Sequence, residues 1–484
     1  MRRRDFLKKC AVAANGFILS HFALTAGCAS SGGSKKAALI QKRPNIVLIF
    51  IDDMGWRDVG FMGSEYYETP NIDRLASEGM VFTNAYSNAP NCAPARACLL
   101  SGQYSPRHGV YTVASSSRGK SKLRKLIPIE NTTELDSNIV TIAEAIKPVG
   151  YVSTSIGKWH LGDDPEFGPI AQGFDVNIGG YSAGHPQKGY FAPYKNPKLP
   201  DGPQGEYLTD RLTDESLSFI ETNKDQQFFL YLPHYAVHTP LQAKEELIEK
   251  YKNKAGSNGQ NNPIYAAMIE STDQGVGRIL DKLDELELTE DTIVFFFSDN
   301  GGVKGITSNE PLRGGKGMLY EGGIREPMIV CWPGIVEPGT TSDTPVIGID
   351  LFPTILEMAG VSIPEGKLLD GLSIVPVLKR EGDLKREAIF WHFPAYLQGK
   401  AEGAKDPYFR TRPAGAVRAG DWKLIEYFED GALELYNLTD DISEQKNLVE
   451  TMPEKAAELH QLLLDWRKEV KAPIPTELNP EYNP

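Results

Sequence analysis

Four stretches of the chain share one pattern, a short and nearly continuous apolar run that stops abruptly in polar residues. Asn45–Ile51 stops at Asp52 and Asp53, and 151–156 stops at Gly157, Lys158, Trp159 and His160. The run 228–232 leads into His234 and His238, and 292–297 leads into Ser298, Asp299 and Asn300. Runs this short and this uniformly apolar predict strands buried on both faces of a parallel sheet. Helical spacing precedes the last three, over 139–146, near 213–222 and over 266–286. Alternating strands and helices predict an α/β fold whose large, doubly wound sheet is mixed but mainly parallel, with helices on both faces. Ligands in such sheets sit beyond the carboxyl ends of the strands. All four runs end in side chains able to bind a metal or move a proton, so one composite site is expected there.

From about Arg386 the pattern changes. Residues 416–438 alternate apolar and polar around an Asp430-Gly431 turn, as a hairpin does. Thr451 with Glu454 reads as a capping box, followed by Ala456, Leu459, Leu463 and Trp466 at helical spacing. A smaller C-terminal antiparallel sheet with one helix is predicted. With 484 residues the chain is too long for one core. The expected division is a signal at 1–28, a tether at 29–42, a catalytic domain at 43–385 and a C-terminal subdomain at 386–484.

Arg3, Arg4, Phe6, Leu7 and Lys8 resemble the twin-arginine export signal. The apolar stretch 11–26, broken by Asn15 and His21, is too short and polar for a membrane span. Leu24, Thr25, Ala26, Gly27 and Cys28 resemble a lipobox, with Thr25 standing where Leu is usual. The expectation is a protein passed to the export machinery of a bacterial cell. It would reside in the periplasm or as an outer-membrane or cell-surface lipoprotein, with any lipid on Cys28. The Ser/Gly/Lys-rich residues 29–36 read as flexible, and the Pro/Asn-rich tail after Ala472 as unstructured.

A net charge of -13 argues against non-specific nucleic-acid binding and requires that any anionic substrate meet a local basic pocket. Of the 5 cysteines, Cys10 and Cys28 fall in the signal; the mature domain retains Cys92, Cys98 and Cys331, too sparse a set for a disulfide framework. Pro94 suits a first helical turn and Gly102 a helix stop, which sets Cys92 at a helix N-terminus, where partial positive charge favours an anionic nucleophile. Arg96 lies one turn on. A buried structural cysteine and a Cys92 to Cys98 disulfide are the competing readings. Asp52 and Asp53 can reach one point only from an irregular strand end, and two packed carboxylates need a cation between them. With Asp299 and Asn300 they form an all-oxygen set suited to a hard cation, Ca²⁺ or Mg²⁺.

The string from Cys92 through Pro94 and Arg96 to Gly102 resembles the signature of the sulfatase family, in the formylglycine-dependent, Cys-type branch of the alkaline phosphatase superfamily. Ala95 and Ser101 depart mildly from the commonest residues. Lys158 and His160, His238, and Lys316 lie in three further strings that match sulfatase motifs, and the resemblance runs from about Pro44 to Leu438. It implies that a sulfatase-maturating enzyme oxidises Cys92 to formylglycine. It also implies one Ca²⁺ held by Asp52, Asp53, Cys92, Asp299 and Asn300. The hydrated aldehyde would attack the sulfur of an aryl or, physiologically, a carbohydrate sulfate and later expel sulfate. Arg96 and His160 would orient and deprotonate the nucleophile, Lys158 and Lys316 would hold sulfate oxygens, and His238 would bind substrate and protonate the leaving alcohol.

His234 stands as a neighbour of the site, Arg325 as an internal ion-pair partner, and His108, His185 and His392 carry no motif. The basic run 118–125 is either a solvated loop or a grip on further sulfates of a polyanionic glycan. Two alternatives accompany the sulfatase expectation: a phosphonate or phosphodiester hydrolase of the same superfamily, and a silent glycan-binding lipoprotein in which Cys92 is never oxidised.

Overall fold

The computed structural model describes residues 43–399 and 401–484. The export signal, the lipobox with Cys28 and the whole tether lie outside the described residues. Residues 43–484 pack as one compact unit. Its large sheet is built from β1 (Asn45–Ile51), β2 (Met80–Tyr86), β3 (Val152–Ile156), β4 (Val176–Ile178), β5 (Phe228–Pro233), β6 (Thr292–Ser298), β7 (Arg325–Cys331), β8 (Thr340–Ser342) and β9 (Val346–Ile347). The order is β4-β3-β5-β1-β6-β7-β2-β8, with β9 also on β2. β7 runs antiparallel to both neighbours while the other pairings are parallel, so the sheet is mixed and mainly parallel.

The uninterrupted apolar runs follow from burial on both faces. Along β1, Val47, Ile49 and Ile51 enter one core, which the helices Pro70–Glu78, Leu208–Thr222 and Pro263–Glu285 cover. Ile46, Leu48 and Phe50 enter the opposite core, covered by Cys92–Ser101, Ile142–Ile146 and Leu351–Met358. With no solvent face there is no polar alternation. Each buried Leu, Ile or Phe contributes about 1.5–3 kcal/mol, so the strands that carry the site are anchored from both faces.

The smaller sheet, β10 (Ile389–Phe393), β13 (Ala414–Ala419), β14 (Trp422–Tyr427) and β15 (Leu433–Asn437), is antiparallel and packs against the helix Pro453–Glu469. β11 (Leu397–Gln398) and β12 (Phe409–Thr411) form a separate two-stranded pair. The β14–β15 turn contains Gly431 in the left-handed region at φ 67°, as the Asp-Gly turn requires.

Two expectations need correction. The C-terminal helix is not capped by a Thr451 and Glu454 box: Pro453 is its first residue, Met452 takes the cap position without a side-chain bond, and the Thr451 hydroxyl donates to the Leu448 carbonyl at 3.2 Å. Proline's fixed φ suits the first helical position and sets the start there. The tail after Ala472 is not loose either. The Asn479 amide donates to the carbonyls of Ser121 and Arg124, both at 2.8 Å, and Ile127 N–H donates to the Glu477 carbonyl at 2.9 Å. Among the described residues no helix is long and apolar enough to cross a membrane.

Candidate active site

Parallel pairing of β1 with β6 aligns Ile51 with Ser298 and so brings Asp52 and Asp53 level with Asp299 and Asn300. Asp53 turns out of the strand in the left-handed region at φ 61°, which is how adjacent aspartates come to face one point. Its N–H donates to Asp299 Oδ1 at 3.2 Å, and the Asn300 amide donates to Asp53 Oδ1 at 2.8 Å. From β5, the Ala236 carbonyl accepts from Asp52 N–H at 2.9 Å and Val237 N–H donates back to the Asp52 carbonyl at 2.7 Å, which carries His238 to the same edge. After β3, Gly157 adopts φ 121°, and a Cβ there would lie 2.2 Å from the Pro233 carbonyl oxygen. Only glycine lets the chain turn there to present Lys158 and His160, the latter itself at φ 64°.

The helix Cys92–Ser101 starts at Cys92 and stops at Gly102, whose φ is 66°. Arg96, one turn in, is fully buried and grips Asp299 Oδ2 through Nη2 at 2.7 Å and Nε at 3.1 Å, while Nη1 donates to the Lys158 carbonyl at 3.0 Å. Lys158 Nζ pairs with Asp52 Oδ2. Lys316 Nζ lies 2.6 Å from Asp53 Oδ1 and 3.2 Å from Cys92 Sγ. His238 Nε2 is 3.6 Å from Asp53 Oδ2. One potential ligand atom each from Asp52, Asp53, Cys92 and His238 lies within 4.8 Å of the others. Asp52 Oδ1, Asn300 Oδ1 and His160 Nδ1 are buried with no partner. The ten residues named from sequence therefore share one sheet edge, joined by these contacts, except that the polar contacts of His160 are left open.

The charges are strongly perturbed. Burial, then the negative charge of Cys92, pushes Asp52 up to about 6. Burial and Asp52 likewise push Asp299 upward. Asp53 moves the other way: burial opposes ionisation, but Lys316, His238 and Lys158 outweigh it and hold the carboxyl below its ordinary range. Burial would raise the Cys92 thiol, yet Lys158 and Lys316 bring it down to about 6. His160 is held neutral by burial and by the adjacent Lys158, Arg96 and Lys316. His238 is shifted upward, since Asp53 and Asp52 outweigh burial and Lys316. A neutral imidazole and a protonatable one thus flank residue 92, the separation that acid–base chemistry requires.

The oxygens of Asp52, Asp53, Asp299 and Asn300 fit a hard cation, and the orphaned Asp52 and Asn300 atoms are what such an ion would satisfy. The remaining sequence candidates divide. His108 contacts Cys98 Sγ at 3.3 Å and His392 contacts the Pro473 carbonyl at 2.9 Å, both in the interior. Arg325 pairs with Glu321 at 3.4 Å, as an internal partner would. His234 is buried beside the site with both ring nitrogens unpartnered. Cys92, Cys98 and Cys331 are all free, which removes a Cys92 to Cys98 disulfide.

A pocket of about 400 Å³ opens onto Cys92. It also exposes residues that no motif singled out: His185, stacked on His238 with centroids 6.2 Å apart, Gln398 and Arg410. Arg118, noticed only as one cation of a basic run, lines it too.

Known proteins match this arrangement along nearly its whole length. A family model described as Sulfatase matches residues 44–361, and one described as N-sulphoglucosamine sulphohydrolase, C-terminal, matches 315–469. A sulfatase of Formosa agariphila is 34% identical, covering 92% of each chain. Human N-acetylgalactosamine-6-sulfatase is 34% identical over 76% of this chain and 72% of its own. The solved structure of Ps i-CgsB in complex with k-i-k-neocarrahexaose aligns with a TM-score of 0.74 at 30% identity, over 88% of this chain and 93% of that one. This chain belongs to the sulfatase family of the alkaline phosphatase superfamily and is a sulfuric ester hydrolase.

Proposed function

We propose that the enzyme removes sulfate from a sulfated carbohydrate, with Cys92 oxidised to formylglycine and one Ca²⁺ held by Asp52, Asp53, Asp299, Asn300 and residue 92. The observation that carries this reading is the meeting of Asp52, Asp53, Cys92 and His238 within 4.8 Å beside orphaned, buried oxygens of Asp52 and Asn300. Carbohydrate substrates are supported by relatives named for N-acetylgalactosamine-6-sulfate hydrolysis and by the neighbour solved with an oligosaccharide.

Formylglycine supplies an electrophilic carbon that carries oxygen where cysteine carries sulfur, and the calcium supplies fixed positive charge beside it. Lys316, already 3.2 Å from residue 92, is placed to hold sulfate oxygens as charge develops on them, and Lys158, paired with Asp52, adds a second positive charge near residue 92. Arg96, 2.7 Å from Asp299 Oδ2, opposes the upward push on that carboxyl and would orient it for the metal. Neutral His160 is suited to accept a proton from the nucleophile, and His238, with its raised proton affinity, to give one to the departing alcohol. A sulfatase-maturating enzyme would act on Cys92 before the chain is complete as a catalyst. Bacterial export, residence in the periplasm or at the cell surface, and a lipid on Cys28 belong to the same proposal.

Desulfation of a panel of defined sulfated oligosaccharides by the matured enzyme tests the reading, beside aryl sulfate and aryl phosphate. Sulfate release with little phosphate release supports it; the opposite preference would establish the phosphohydrolase alternative. Mass spectrometry of the peptide containing residue 92 distinguishes formylglycine from cysteine. Chelation should remove activity and lower the melting temperature, and Ca²⁺ should restore both.

A further inference from the structure

The pocket above Cys92 contains two cations that the ester chemistry does not use. Arg118, from the loop after the Cys92 helix, and Arg410, on β12, line the same cavity as Cys92, His160, His238 and Lys316. Arg118 Nε donates to the Gln398 side-chain carbonyl at 2.8 Å. Arg410 Nη1 donates to the Lys316 carbonyl at 3.3 Å, and its Nε is buried with no partner. Among the described residues neither guanidinium pairs with a carboxylate. Arg412, two positions further on, shows the contrast, with Glu429 at 2.8 Å and Asp430 at 3.0 Å. Burial disfavours the charge on both pocket arginines and outweighs the support that Asp53 gives Arg410 and a Cys92 thiolate gives Arg118, and Arg118 disfavours the charge on Arg410 further.

The fold holds this pair deliberately close to residue 92. Ser117 bridges to Tyr396, and Leu397 and Gln398 of β11 pair with Thr411 and Phe409 of β12, so Arg118, Gln398 and Arg410 come from interlocked segments. Gly119, at φ 87°, lets the loop lie on β12, where a Cβ would sit 2.7 Å from the Phe409 ring. Gly317, at φ 88°, makes room for Arg410, whose Cδ would lie 2.5 Å from a Cβ there. The rest of the basic run is differently employed: Arg124 donates to the Gly119 carbonyl at 2.6 Å, Lys125 to the Glu429 carbonyl at 2.7 Å, and Lys120 and Lys122 are exposed. Like charges that are partly desolvated and have no carboxylate in contact are unfavourable until an anion joins them, and a guanidinium fork matches carboxylate and sulfate oxygens alike.

We propose that Arg118 and Arg410 hold a second anionic substituent, a sulfate or a carboxylate, of the saccharide whose sulfate ester is cleaved at residue 92. The inference rests on the carbohydrate sulfatase reading above. It makes the C-terminal pair β11–β12 a determinant of specificity as well as of stability.

The test compares kcat/KM of the matured enzyme on three saccharides: a singly sulfated neutral sugar, its doubly sulfated counterpart, and the singly sulfated sugar joined to a uronate. The wild type is expected to favour one doubly anionic substrate by about tenfold or more, and which one it favours identifies the anion. Arg118→Gln and Arg410→Gln should each lower that preference about tenfold, mainly through KM. Arg410→Lys should retain part of it, keeping charge without the fork. If Arg410 only braced Lys316, every substrate would slow alike and the preference would stay, which overturns the proposal for that residue. Sulfate release with no wild-type preference overturns the inference alone, whereas no sulfate release from any of the three, with aryl sulfate still cleaved, overturns the carbohydrate reading with it.

Discussion

At the edge of the large sheet, Asp52, Asp53 and Asp299 face Arg96, Lys158 and Lys316. Where the two sheets meet, Glu321 and Glu444 share Lys423, each at 2.9 Å, with Arg325, Arg418 and Tyr86 around them. Both clusters are buried and both mix the signs of charge. They differ in closure. Glu321 Oε1 is taken by Lys423 and Oε2 by the Tyr86 hydroxyl at 2.6 Å, while Glu444 Oε2 accepts the Glu321 N–H at 2.7 Å and its Oε1, without a hydrogen bond, still faces Lys423 at 2.9 Å. The sheet-edge cluster instead leaves Asp52 Oδ1, Asn300 Oδ1 and His160 Nδ1 unanswered and lies beneath a pocket. A closed buried network fixes one arrangement of the chain, and an open one has capacity left for ligand and chemistry.

Substitutions at the two clusters should therefore fail in different ways. The largest effect is expected for Cys92→Ala: turnover of aryl sulfate should drop by about 10⁴-fold or more while the melting temperature stays near that of the wild type. A melting transition that collapsed with it would make Cys92 structural and erase the distinction. Next comes His238→Ala, which should slow alkyl sulfates by about 10²–10⁴-fold and an activated phenyl sulfate far less. Equal losses on both leaving groups would refute its acid role.

The closed cluster should show the reverse. Lys423→Met strands Glu321 and Glu444 without their shared cation and is expected to destabilise the fold by about 3–5 kcal/mol in denaturant titration, with kcat per folded molecule preserved. The smallest effect is a pH trend. Burial and the neighbouring Glu321 raise the proton affinity of Glu444 even against Lys423. Its stabilising, protonated form is thus complete below the ordinary carboxyl range and lost as pH rises through the elevated value. Burial also opposes ionisation of Glu321, but Lys423, Arg325 and Arg418 hold it ionised, and that contribution is lost only in acid. Glu444→Gln should accordingly gain about 1–2 kcal/mol relative to wild type between pH 5 and pH 8. A difference that is flat or falls with pH would mean that the pair is not strained in this way.

Much of the sheet was legible because its central strands obey a local rule. β1, β5 and β6 are almost wholly apolar; β3 is not, carrying Ser153, Thr154 and Ser155 between Val152 and Ile156, yet motif residues follow where each strand stops. β2 and β7 escaped notice, since Thr83 and Asn84 interrupt one and Arg325 and Glu326 open the other. Their place comes from pairing with each other across the sheet. The misread cap at Thr451 shows one local preference losing to another, the demand of Pro453 for the first helical position.

By itself the sequence determined which side chains stand at strand ends and at the start of the Cys92 helix, because backbone preference and apolar periodicity act over a few residues. Tertiary structure alone decided which distant charges neutralise one another, which oxygens remain open, how the tail is tied down, and that Arg118 and Arg410 share the pocket of Cys92. Those outcomes depend on long-range packing and on the exclusion of water, and no local pattern encodes either.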